Sequence, residues 1–169
     1  MPATPAGAAP AQPSDPVAEP HPRRRMLVLY ERSRSGPAAL AQAVTLFTEF
    51  AFELTVVALA PQDTDPPCCS VYAEAYNRGV QADAAAELRE AKRLLGRHGE
   101  QVQFELLVEG RDPPLEAWVA AGGIDLVLLP AHRGLPRSAR HPLERRLRRS
   151  TDAEVRLVTA PGRGERRAA

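Results

Sequence analysis

Five short apolar runs alternating with helix-patterned segments predict an α/β fold: three α/β/α layers around a five-stranded parallel sheet, doubly wound. Two observations carry this. The runs at 26–30, "MLVLY", and 124–130, "IDLVLLP", are continuous rather than alternating, as strands buried on both faces are. The segments between runs place apolar residues at helical spacing, with proline near their starts and glycine near their ends.

Each element follows in order. After the first strand, "ERSRSGP" breaks the run, and Ser35, Gly36 and Pro37 open a helix whose Leu40, Val44, Phe47 and Ala51 share one face. "LTVVALAP" (54–61) is the second strand and "QDTDPPCCS" a loop. Helical periodicity then runs from about Val71 to His98, with Ala84, Leu88, Ala91 and Leu95 on one face, Gly79 marking a break and Gly99 ending it. "VQFELLVEG" (102–110) is the third strand, and "PPLEAWVAAGG" a short helix turning Leu115, Trp118 and Val119 inward. After the fourth strand, "HPLERRLRRS" reads as a helix with His141 near its cap and a thin apolar stripe of Leu143 and Leu147. "EVRLVTAP" is a fifth strand with the alternation of an edge or interface position.

Composition bounds the rest. One domain suits 169 residues. Residues 1–25, rich in proline and alanine and with Val17 as the one branched apolar side chain, are expected to be a disordered tail. Residues 26–160 form the domain, and 161–169 a basic C-terminal tail. Arg23, Arg24 and Arg25 follow the Pro/Ala stretch instead of preceding an apolar core, so no signal peptide is read there. A soluble cytoplasmic protein, without membrane partners, is the expectation. The net charge of +1 hides a split: residues 26–132 carry 8 basic and 15 acidic side chains, residues 133–167 carry 11 and 4. Basic character is therefore local to the C-terminal quarter. Cys68 and Cys69 are adjacent, which strains a mutual disulfide, and His98, His132 and His141 lack metal-ligand spacing.

Ligands of such sheets lie beyond the carboxyl ends of the strands, where strand order reverses. The loops so selected are "YERSRSG", "VEGRDPP" and "PAHRGLPRSARHP". With Gly110 and Pro113 after the third strand and Asp125 opening the fourth, the chain over 26–160 resembles the universal stress proteins. That resemblance implies the adenine-nucleotide hydrolase-like fold, ATP or another adenine nucleotide as the ligand to look for, and a homodimer formed through the last strand. It implies nucleotide contacts at Glu31, Val57, Gly110, Ala131, Arg133, Gly134, Arg140 and His141.

The sequence departs from the family's nucleotide-binding branch at two places. Glu31 stands where that branch has an aspartate. In the Gly-x2-Gly-x9-Gly-Ser/Thr phosphate segment, Ala131 replaces the first glycine and Gly134 matches the second; ten positions on stands Glu144, and aligning by the helix instead leaves Arg140 and His141 at Gly-Ser. A glycine cradle works because unrestricted φ lets successive N–H groups turn onto phosphate oxygens. Here Pro136 and Pro142 remove two donors, and His132, Arg133, Arg137 and Arg140 offer charged side chains instead.

The expected function is a non-catalytic stress-response or regulatory protein with at most weak or altered nucleotide binding and an unknown protein partner, since the crevice loops hold no nucleophile, base and orienter set. The alternatives are an ATP/AMP sensor using arginine side chains in place of the glycine loop, and a basic-surface nucleic-acid adaptor. The last is disfavoured because the rest of the domain is acidic and no exposed aromatic accompanies Arg145, Arg146, Arg148 and Arg149. A nucleotide hydrolase lacks its Ser-Gly-Gly loop after the first strand. A receiver domain lacks its acidic pair, its aspartate ending the third strand and its lysine ending the fifth.

Overall fold

The computed structural model describes residues 24–50, 52–61, 70–131 and 142–161. Strands and helices alternate through them: β1 (Arg25–Leu29), α1 (Gly36–Phe50), β2 (Glu53–Ala60), α2 (Ser70–Leu95), β3 (Gln103–Val108), α3 (Leu115–Ala121), β4 (Leu126–Pro130), α4 (Pro142–Ser150) and β5 (Glu154–Val158). The five strands form one sheet in the order β3-β2-β1-β4-β5, every neighbouring pair parallel. The chain steps outward from β1 to β3, then returns across β1 to β4. That reversal puts the topological switch point between β1 and β4, at their carboxyl ends.

Strand side chains alternate between faces, so two cores form. Met26, Val28 and Tyr30 of β1 and its end, with Leu54, Val56, Leu126 and Leu128, pack under α1 and α2. Leu27, Leu29, Val57, Val127 and Leu129 pack on the other face against Leu115 and Val119 of α3 and Leu147 of α4. This double burial is the reason β1 and β4 read as continuous apolar runs. Where α2 crosses the ends of β2 and β3, Ala58, Ala60 and Ala84 meet with Val108, and their small side chains fit a close helix–sheet approach.

The expected elements are present, with three differences. β1 opens at Arg25, whose N–H donates to the Asp125 carboxylate at 2.7 Å, so the strand takes in the last of the three arginines. Asp125 is thus a strand-opening structural residue, as its place after Gly-Gly implied. α2 runs unbroken through Gly79, an exposed position with no side chain or backbone near enough for a Cβ to matter. One such glycine costs a helix about 1 kcal/mol, less than the packing that continues on both sides of it. Finally, α2 ends at Leu95 and not at Gly99: Gly96 takes φ of +54°, and a 3-10 turn, Gly96–Glu100, follows with Gly99 buried inside it.

β3 and β5 are the two edge strands. At the β3 edge the Lys92 ammonium lies over the Phe104 ring, 5.9 Å from its centre. No described helix is long and apolar enough to cross a membrane. The expectations for residues 1–23, for Cys68 and Cys69, and for 162–169 lie outside the described residues.

Candidate functional site at the switch point

At the end of β1 the chain leaves the sheet gradually. Tyr30 N–H still donates to Val57 C=O at 2.8 Å, extending the ladder by one residue. The Tyr30 ring is fully buried in the core beneath α1 and α2, and its hydroxyl has no hydrogen-bond partner among the described residues. Burial first, then the carboxylates of Glu90 and Glu87, raise its pKa above the ordinary tyrosine value, so the group stays protonated.

The loop that follows carries Glu31 and is held from two sides. Arg32 donates its backbone N–H to Glu87 Oε1 at 3.1 Å and its Nε to Glu90 Oε2 at 3.1 Å, both on α2. Ser33 Oγ accepts the N–H groups of Ser35 (3.3 Å) and Gly36 (3.2 Å), capping the first turn of α1. A Cβ at Gly36 would stand 2.0 Å from the Glu31 carbonyl oxygen, so the loop closes onto the helix where only glycine fits. Glu87 has a raised pKa: burial is the main cause, with the charges of Glu31 and Asp83 adding to it against the lowering effects of the Arg32 N–H and guanidinium.

Across the switch point, Ala131 is buried after β4. Its N–H donates to Val158 C=O at 2.7 Å, and its C=O accepts Ser35 Oγ at 2.6 Å. The same Ser35 oxygen accepts Ala160 N–H at 3.3 Å. One buried hydroxyl therefore ties the start of α1 to the ends of β4 and β5.

At the end of β3, Gly110 takes φ of +83°, a left-handed conformation suited to glycine. The turn is closed by Asp112, whose carboxylate accepts Val108 N–H at 2.7 Å and Arg111 Nε and Nη2 at 3.1 Å each. The Arg111 bonds, then the Val108 bond, hold the Asp112 pKa below the usual carboxylate range. Beside this turn lies a cavity of about 250 Å³ with Leu59, Leu107 and Leu115 as apolar walls and Gly110, Pro113 and Arg146 also in its lining. Arg146 is locked there by a two-pronged pair with Glu116 of α3, at 2.7 Å and 2.9 Å from Nη2.

Of the residues expected to meet a nucleotide, Glu31, Val57, Gly110 and Ala131 lie at or toward the carboxyl ends of β1, β2, β3 and β4. Val57 is fully buried in the α3/α4-side core and offers its carbonyl to Tyr30. Arg133, Gly134, Arg140 and His141, with His132 and Arg137, lie outside the described residues. Sequence reasoning missed Ser35, Glu87, Glu90 and Arg146 as shapers of this end of the molecule. Glu87 and Glu90 carried a faint signal, because they flank the buried Ala91 and half-buried Leu88 at the margin of the apolar stripe. Arg146, which pairs with Glu116, and Arg148, which pairs with Glu144, hold these ion pairs while their side chains stay about half exposed. Among the described residues no group of three or more His, Cys, Asp or Glu side chains is arranged to hold a metal ion.

The model of the universal stress protein family matches residues 22–158. The chain is similar in fold to universal stress protein UspA from Lactobacillus plantarum (TM-score 0.64, 17% identity, covering 82% of this chain and 99% of that one). It is similar also to the universal stress protein from Archaeoglobus fulgidus in complex with dAMP (TM-score 0.56, 14% identity, 80% and 97% covered). A third similar structure is a universal stress protein in complex with cAMP (TM-score 0.59, 15% identity, 82% and 98% covered). No curated protein matches the chain.

Proposed function

The chain belongs to the universal stress protein family, and on that premise we infer that it is a non-catalytic stress-response or regulatory protein that takes an adenine nucleotide, weakly or in an altered pose, into the crevice at the β1/β4 switch point. The observation that carries this reading is the cavity of about 250 Å³ beside Gly110, at the same end of the sheet as the Glu31 loop. Its leucine walls suit a planar base, and it lies about 10 Å, two strand spacings, from the switch point. A nucleotide covers that span. In this reading Glu31 accepts ribose hydroxyls, while the arginines after β4 meet phosphate by charge-assisted bonds where relatives use glycine N–H groups. Two solved proteins of the same fold, those in complex with dAMP and with cAMP, support the ligand class. In the same reading a second copy of the chain pairs along β5.

Thermal-shift titration of the purified chain with AMP, ATP and cAMP tests the reading, because a ligand that binds only the native state raises Tm with concentration. A rise that Glu31→Ala and Arg133→Ala abolish is the expected result. No shift at millimolar ligand overturns it.

A further inference from the structure

The six residues between β1 and α1, 30–35, follow a tightly set path, and one peptide unit shows how. The Glu31 carbonyl and the Arg32 N–H belong to the same planar amide. Its carbonyl edge faces Gly36 so closely that a Cβ there would stand 2.0 Å away. Its N–H edge donates to Glu87 Oε1 at 3.1 Å, and the Arg32 side chain is drawn the same way by Glu90 at 3.1 Å. The plane is gripped at both edges, and the Glu31 Cα is attached to it. The groups that act on Glu87 are Arg32 and Glu31 from the β1 side and Asp83 from its own helix, and Glu87 and Glu90 both act on Tyr30.

We propose that Glu87, assisted by Glu90, is a positioning residue for the crevice: by gripping the Glu31–Arg32 peptide from α2 it sets the direction in which Glu31 meets a ligand. The proposal takes its ligand from the nucleotide reading above, but the grip itself exists without one. It makes α2 part of the binding apparatus. Because the bond is made to a backbone N–H, it depends on the identity of residue 87 and not on that of residue 32.

The test uses the full chain and two substitutions of one position. Glu87→Ala removes the acceptor and keeps α2, alanine being the best helix former; Glu87→Gln restores a neutral acceptor of the same length. Amide hydrogen exchange at Arg32, followed by NMR without ligand, reads the grip. AMP titration of the same samples reads its consequence. The expected result is Arg32 exchange about tenfold faster in Glu87→Ala and close to wild type in Glu87→Gln. AMP affinity should fall about fivefold in Glu87→Ala and return in Glu87→Gln, a rescue that loss of packing would not produce. An Arg32 amide equally protected in all three proteins overturns the proposal. So does accelerated exchange with unchanged AMP affinity. If the wild-type chain binds no AMP, the nucleotide reading falls and the exchange comparison alone upholds or overturns the grip.

Discussion

Glu87 shows how a single half-buried carboxylate shapes this end of the sheet. Its pKa is raised, chiefly by burial, so the folded chain holds a proton there more readily than the unfolded chain does. The stability which that proton confers is complete below the ordinary glutamate range and is lost as pH rises through the raised folded value. Glu87→Gln removes the titration while keeping an acceptor for Arg32. The substituted chain should therefore gain stability relative to wild type as pH rises from the acid side to neutrality. Urea unfolding at a series of pH values checks this, and parallel pH dependences for the two proteins would contradict it. The sequence marked Glu87 only by its place at the margin of the apolar stripe, because its partner lies 55 residues away and no local period reports such a pairing.

The β1–α1 connection is the element on which the site turns, and part of it was readable in advance. "SGP" announced the start of α1, since a proline near the first helical position lacks an N–H that would otherwise go unpaired there, while the hydroxyl that caps the turn is that of Ser33. Leu143 and Leu147 likewise marked the inward stripe of α4, and Leu147 is fully buried. What the pattern did not reveal is why residue 36 must be glycine: the constraint is the approach of a backbone oxygen, not a helix signal. Gly36→Ala should lower the unfolding free energy by about 3 kcal/mol, since a rigid Cβ and a rigid carbonyl have no side-chain freedom with which to yield. Chemical denaturation measures it, and a loss below about 1 kcal/mol would show that the loop can move aside. Gly79 and Gly99 are the converse lesson. Both looked like breakers, but Gly79, exposed within a packed helix, is outvoted by its neighbours, and Gly99 lies buried in the turn that follows the true end of α2 at Gly96.

Across the whole molecule, the parallel sheet was legible because β1 and β4 are buried on both faces, while strand order was not, because no run of residues encodes its neighbours. The β5 edge is where a second copy would pair. Glu154 N–H donates to Asp125 and Val158 C=O accepts from Ala131, so residues 154, 156 and 158 point their backbone groups inward, while Val155 and Leu157 point theirs outward. Arg148 already covers the Val155 carbonyl at 2.6 Å, leaving the outward groups of Leu157, itself 38% exposed, for a partner strand. Leu157→Pro removes an outward N–H and spares the β4 ladder. Sedimentation velocity should show a dimer for wild type and a monomer for Leu157→Pro; a wild-type monomer would remove the proposed pairing.

The strand order has one more consequence, for the way the chain is made. β1 is central, and its second neighbour, β4, pairs Met26 with Leu126, at the far side of the chain. At translation rates of 5–20 residues per second, about 5–20 s separate the emergence of these partners from the ribosome. For that interval the nascent β1–β2–β3 half offers a bare strand edge flanked by apolar side chains, and chaperone occupancy during synthesis should end when β4 arrives.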